Sequence, residues 1–225
     1  LAKALAEDYT IDQSLRFDNN GVEGDREVLI RTPTSTGNRK TWTLSGWYKR
    51  GKLGMSTCFG ITAWNPTGAN PRTFMGFNTT DQIALNWNPD GSDNIEWVTT
   101  AKYRDPSAWY HIVVAYDTPQ DAANDRLKIY VNGDLITDYD TRETIGEDTE
   151  SPVNQSGYVQ NIGDYAADTA GTNCWDGYMA EVFFCDGTAL AASDFGETDD
   201  TTNQWKPLDS DDVKDAVTFG TNGFY

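Results

Sequence analysis

The chain has 225 residues, with 17 Lys and Arg against 35 Asp and Glu, and a formal charge of −18. That acidity argues against nucleic acid and anionic membranes as partners, because binding them gains from phosphate neutralisation by Lys and Arg. No apolar run approaches the roughly 18–20 residues of a membrane helix, while eight Trp, eleven Tyr and nine Phe are too many for a disordered acidic chain and predict a buried core.

The first seven residues have helical propensity, and residues 1–10 read as a linker or the end of an upstream element. The chain starts at Leu1 and ends in the aromatic text of residues 219–225, which reads as a piece of a longer protein. From there the dominant period is two. Strands are predicted at residues 11–17, 27–31, 40–49, 57–63, 73–77, 82–87, 95–99, 109–116, 127–131, 135–137, 158–162 and 178–184. In the third, Trp42, Leu44 and Gly46 share one face, and Thr41, Thr43, Ser45 and Trp47 the other. Residues 109–116 (WYHIVVAY) are almost continuously apolar, as in a central strand covered on both faces. Asn132-Gly133 between two strand runs predicts a type I′ hairpin, which needs positive φ twice. About a dozen short strands separated by Gly, Pro, Asn and Asp turns predict an all-β sandwich or barrel. Helix is limited to one or two short turns, one of them at residues 190–195. Residues 138–225 hold 19 of the 35 acids and three bases, which points to one acidic edge or rim.

Chemistry-bearing motifs are sparse. Cys58, Cys174 and Cys185 are an odd count with no CxxC pair, and are expected to be small buried hydrophobes rather than disulfide or zinc ligands. Glu23-Gly-Asp-Arg-Glu27 has an acidic alternate spacing, but Gly24 and Arg26 intervene and the segment reads as a turn. His111, the only histidine, lies within a strand and reads as packed rather than catalytic. The segment opening at Asp138 starts like a calcium loop but has Arg142 in a ligand position.

Taken together, residues 14–18 (SLRFD), 42–49 (WTLSGWYK), 109–117 (WYHIVVAYD), 127–133 (LKIYVNG) and 177–184 (GYMAEVFF) resemble the laminin-G-like, concanavalin-A-like jelly roll. The resemblance covers roughly residues 11–197 as one sandwich. Residues 198–225 are then a C-terminal extension, packing on the sandwich or leading into a further domain. The text of residues 177–187, with Leu190, Ser193 to Thr198, Trp205-Lys-Pro207 and the closing Gly-Phe-Tyr225, looks like laminin-G-like domains in structural proteins of marine bacteriophages.

The resemblance implies an antiparallel two-sheet β-sandwich whose concave face and rim loops bind glycans or protein partners. It implies a non-catalytic module on a virion surface, hence extracellular, that binds a glycan or host receptor. The alternative is a decoration or assembly domain that binds neighbouring virion proteins, and a polysaccharide-degrading enzyme is a third reading. Phage appendages are often trimers, so a homo-oligomer is in view, although no heptad stretch supplies the contact. Many members hold a structural Ca2+ ion, for which Asp18 and Asp176 are the nearest matches here. Sugar recognition uses flat aromatic platforms with polar neighbours. The candidates are Trp64 and Trp87 beside Asn-Pro turns, Trp97 and Tyr103 flanking the next turn, and Tyr139 and Tyr165 in polar loops.

Overall fold

A computed structural model describes residues 9–18, 27–67, 72–88, 94–165 and 173–225. The helical segment expected at residues 1–7, most of the acidic text at residues 23–27 and the tips of the two Asn-Pro turns lie outside the described residues.

The strands are β1 Leu15–Phe17, β2 Leu29–Arg31, β3 Thr41–Arg50, β4 Thr57–Cys58, β5 Ile61–Trp64, β6 Arg72–Phe77, β7 Gln82–Asn88, β8 Ile95–Lys102, β9 Tyr110–Asp117, β10 Leu127–Val131, β11 Asp134–Leu135, β12 Tyr139–Arg142, β13 Val159–Ile162, β14 Gly177–Asp186, β15 Gly196–Thr198 and β16 Trp205–Pro207. One sheet (sheet A) runs β1-β14-β3-β9-β10-β11; the second (sheet B) runs β12-β8-β7-β6-β5-β13-β2, with β4 on β6. Every pairing is antiparallel. The all-β sandwich expected from the sequence is therefore the observed architecture. Among the described residues no helix is long and apolar enough to cross a membrane.

Period-two alternation builds the core. Trp42, Leu44 and Tyr48 of β3 and Ile112, Val114 and Tyr116 of β9 meet Ile61, Met75, Phe77, Ile83, Leu85 and Trp97 of the facing sheet. The other face of β3 and β9 does not meet water. Val113, Phe183 and Cys185 pack under Ala192, Phe195 and Val213, with Trp205 and Leu208 at the margin. Sheet A is thus covered on both sides, which explains the unbroken apolar text of β9.

The covering layer is the β15–β16 hairpin and a helix, α1, over Ser210–Ala216. This helix was not expected, because its text reads as an acidic cluster. Asp209 caps it by accepting from the Asp211 amide, Val213 is its single buried residue, and Lys214 stands in its last turn. The short turn expected at residues 190–195 is a 3-10 turn, Ala192–Asp194. The chain end is tied in as well. Phe184 and Phe224 exchange two backbone hydrogen bonds, and buried Asp186 accepts from the Asn38 and Asn222 amides and the Asn154 side chain.

Three further expectations are corrected. The predicted strand at 57–63 breaks into β4 and β5, because both Phe59 and Gly60 direct their amides to the Met75 carbonyl. The polar segment from Asp138 contains β12, which pairs with β8. The acids after residue 138 do not form one rim: Asp164, Asp176 and Asp186 are buried among polar partners. All three cysteines are buried, and burial with nearby Asp194 pushes the Cys185 thiol up to about 12. At the expected hairpin Asn132 has φ 50° and Gly133 φ 91°. A Cβ on Gly133 would also stand 2.5 Å from the Trp205 ring. Gly133→Ala is expected to destabilise by about 1–2 kcal/mol or more in urea titration, since φ strain and a clash against the covering layer act together.

Candidate functional site

Sheet B has one face in the core and one outside it. Because Ile61, Ala63, Met75, Phe77, Ile83, Leu85 and Trp97 point inward, alternation turns Trp64, Arg72, Phe74, Asn86, Asn88 and Glu96 outward. Register then arranges these side chains in two rows. Arg72 of β6 stands opposite Trp64 of β5 and Asn88 of β7. Phe74 stands opposite Asn86, which stands opposite Glu96 of β8. At about 4.8 Å between strands and about 6.7 Å between rows, each row is roughly 10 Å long, and because the rows are offset by one strand the patch measures roughly 14 by 7 Å. That is the footprint of a short oligosaccharide.

Segment 163–165 leaves β13 and crosses the same face. The Thr62 hydroxyl donates to the Asp164 carbonyl at 2.7 Å, and Tyr165 meets Phe74 edge-to-face with ring centroids 5.9 Å apart. Trp64, Phe74 and Tyr165 are all half-buried. The patch therefore joins aromatic surface to a guanidinium, the Asn86 amide and a carboxylate, with Asn88 buried beside them. Such a mixture takes the C–H face of a sugar on the rings and its hydroxyls on the polar groups.

Of the six aromatic candidates, the structure brings Trp64 and Tyr165 to this patch. Trp87, Trp97 and Tyr103 are corrections: they are 5 %, 1 % and 8 % exposed and belong to the inter-sheet core. Strand parity turns Trp87 and Trp97 inward, and Tyr103, just after β8, packs on Phe77 and Tyr110, so a turn next to them in sequence does not bring their rings to a rim. Burial pushes Tyr103 up to about 12. Tyr139 is corrected too. It packs edge-to-face on Trp97 with centroids 5.1 Å apart, donates to the Ile136 carbonyl, and has the Arg142 guanidinium 5.2 Å from its ring. Its ring is occupied by structure. Arg72, Phe74, Asn86 and Glu96 were missed. Their signal was available in the strand text, since Thr73, Met75 and Phe77 claim the opposite parity.

Asp18 and Asp176 do come together, but around a cation of the chain. Arg16 is 3.6 Å from Asp18 and 3.3 Å from Asp176, and Lys52 is 3.0 Å from the second Asp176 oxygen. Calcium requires six to eight oxygens with unneutralised charge. This donor set, two carboxylates already sharing Arg16, one of them also paired with Lys52, does not fit it. Among the described residues no group of three or more His, Cys, Asp or Glu is placed to hold a metal ion.

His111 is 1 % exposed, stacked between Trp47 and Trp205. Trp205 donates its indole N–H to Nδ1 at 2.9 Å, so the other nitrogen, Nε2, carries the proton and donates to Ser45 Oγ at 2.9 Å. Burial lowers its pKa to about 3. The Ser45–His111 pair is sealed beneath the covering layer, which makes it a packing element.

Two stacked antiparallel sheets in this strand order define a concanavalin A-like jelly roll. The chain belongs to the laminin G-like group of the Concanavalin A-like lectin/glucanases superfamily, whose sequence model matches residues 23–194. Solved structures agree on the fold. A heptameric SAP-like pentraxin from Limulus polyphemus aligns at TM-score 0.54 and 16% identity, over 78% of this chain and 76% of that one. A protein from Bacteroides ovatus, inferred to bind carbohydrate, aligns at 0.54 and 18% identity, over 81% of this chain and 45% of that one. The LG1-3 region of the laminin alpha2 chain aligns at 0.53 and 8% identity, over 78% and 31%. The chain thus spans less than half of the last two. No curated protein matches it in sequence.

Proposed function

We propose that this domain is a non-catalytic glycan-binding module of a virion surface, and that it binds through the outer face of sheet B. The observation that carries the reading is the pair of cross-strand rows, Trp64–Arg72–Asn88 and Phe74–Asn86–Glu96, with Tyr165 against Phe74. Aromatic surface beside Arg, Asn and Glu is the composition a sugar site needs. The fold is shared with the Bacteroides ovatus protein inferred to bind carbohydrate. The virion setting rests on the sequence resemblance of residues 177–225 alone. The same patch, with one carboxylate, favours holding a sugar over cleaving it, because glycosidic hydrolysis uses two carboxyl groups flanking the bond.

A glycan array followed by calorimetry tests this. Trp64→Ala and Phe74→Ala are each expected to weaken binding at least tenfold, with the melting temperature little changed because both rings face outward. Absence of any glycan ligand, or unchanged affinity in both variants, would overturn it.

A further inference from the structure

The two sheets part at one edge of the sandwich, where β1 ends sheet A and β2 ends sheet B. A cleft of about 530 Å³ opens there, a volume in the range of small-molecule sites. Its floor reaches the core through Phe17, Ile162, Met179 and Phe224. Leu15, Leu29 and Tyr225 at its mouth are 55 %, 48 % and 52 % exposed. Large apolar side chains left in water around one concavity mark a ligand site.

Among the described residues the charged part of the lining has one sign: Glu181 and Asp12 line the cleft and no Lys, Arg or His does so. Glu181 stands in a β-bulge where the β14–β3 register shifts between Ala180 and Phe183, at φ 48°. A bulge re-aims a side chain, and left-handed backbone in a non-glycine residue is strained. The carboxylate is then held from both chain ends: the Tyr9 hydroxyl donates to it at 2.9 Å, and that of Tyr225 at 3.0 and 3.1 Å. Two hydroxyl donors leave acceptor positions unused on a carboxylate that accepts about four. Lys214, 4.8 Å from the centre of the Tyr225 ring, is paired with Asp211 at 2.6 Å.

We propose that this cleft binds a small amphiphilic amine, with its apolar body between the sheet edges and its ammonium on Glu181. The apolar floor selects the body, and the carboxylates of Glu181 and Asp12 select the cation over a neutral or acidic head, with Lys214 close enough to act on Glu181 but paired with Asp211. The site is distinct from the outer face of sheet B, so the two readings fail separately.

Calorimetry with 2-phenylethylamine, 2-phenylethanol and 3-phenylpropionate tests it at moderate salt. The amine is expected to bind at least tenfold more tightly than the alcohol, and the acid not at all. Glu181→Gln keeps the shape and the tyrosine contacts, and is expected to abolish the preference for the amine. Ser14→Trp, which fills the exposed mouth, is expected to abolish binding of both. No saturable amine binding at millimolar concentration, a preference surviving in Glu181→Gln, or amine binding retained in Ser14→Trp would each overturn the proposal; the last would mean diffuse attraction to an acidic chain.

Discussion

Asp81→Asn is expected to lower the unfolding free energy by about 3–5 kcal/mol, the usual cost of removing one partner from a buried ion pair. Asp81 lies in the turn between β6 and β7, and its carboxylate accepts from Arg50 at 2.9 Å, Arg104 at 3.2 Å and the Gly54 amide at 2.7 Å. The Arg50 side chain is fully buried, with its guanidinium 4.3 Å from the centre of the Phe77 ring. Burial alone would raise the Asp81 pKa, but the Gly54 amide and the two guanidinium groups outweigh it and hold it below the ordinary carboxylate value. Asn keeps the shape and tolerates the φ of 66° found there, so the loss reports the charge. Urea titration measures it. Adding Arg50→Met should recover part of the loss, because the orphaned cation is then gone. A cost below about 1 kcal/mol for Asp81→Asn would show that the pair contributes little.

The second large effect is a pH dependence carried by His111. The folded state holds the ring neutral, with a pKa lowered to about 3 by burial, whereas an unfolded histidine titrates near 6.5. The unfolded chain therefore binds the extra proton between these values. The stabilisation is complete above about pH 6.5 and is lost as pH falls toward 3, by as much as about 5 kcal/mol. Because the chain has a single histidine, its imidazole resonances are unambiguous. They are expected to show the Nε2–H tautomer and no titration from pH 8 down to about 4. In His111→Gln, the slope of stability against pH between 6 and 4 should fall by up to about 1.4 kcal/mol per pH unit. A folded-state inflection near pH 6.5 would refute the sealed, neutral ring.

Most of the fold was legible because strand text is local. Alternation at Trp42-Thr-Leu, the continuous apolarity of Tyr110–Asp117 and the Asn132-Gly133 turn each act within a few residues. They state strand, two-sided burial and hairpin without reference to the rest of the chain. The missed elements, β12, α1 and the β15–β16 hairpin, have polar local text, and their stability comes from what they pack on. Val213 alone is buried in α1, too little apolar periodicity to reveal a helix.

The candidate site was only half legible, and Trp64 against Trp87 shows why. Both precede an Asn-Pro pair at the end of a strand, and their local text is nearly the same. Trp64 falls on the outward parity of sheet B and Trp87 on the inward. Which parity faces the core depends on where the second sheet lies, and one residue of register exchanges the two faces. By itself, the sequence of this protein determined its class: an acidic, aromatic-rich, antiparallel β-sandwich whose strands state themselves locally. The tertiary structure decided which aromatic rings meet solvent, that Arg16 stands between Asp18 and Asp176, and that the two chain ends meet on Glu181. Those outcomes depend on contacts between residues far apart in sequence, 172 positions for Tyr9 and Glu181 and 44 for Tyr225 and Glu181, and no local pattern encodes a partner at such separations.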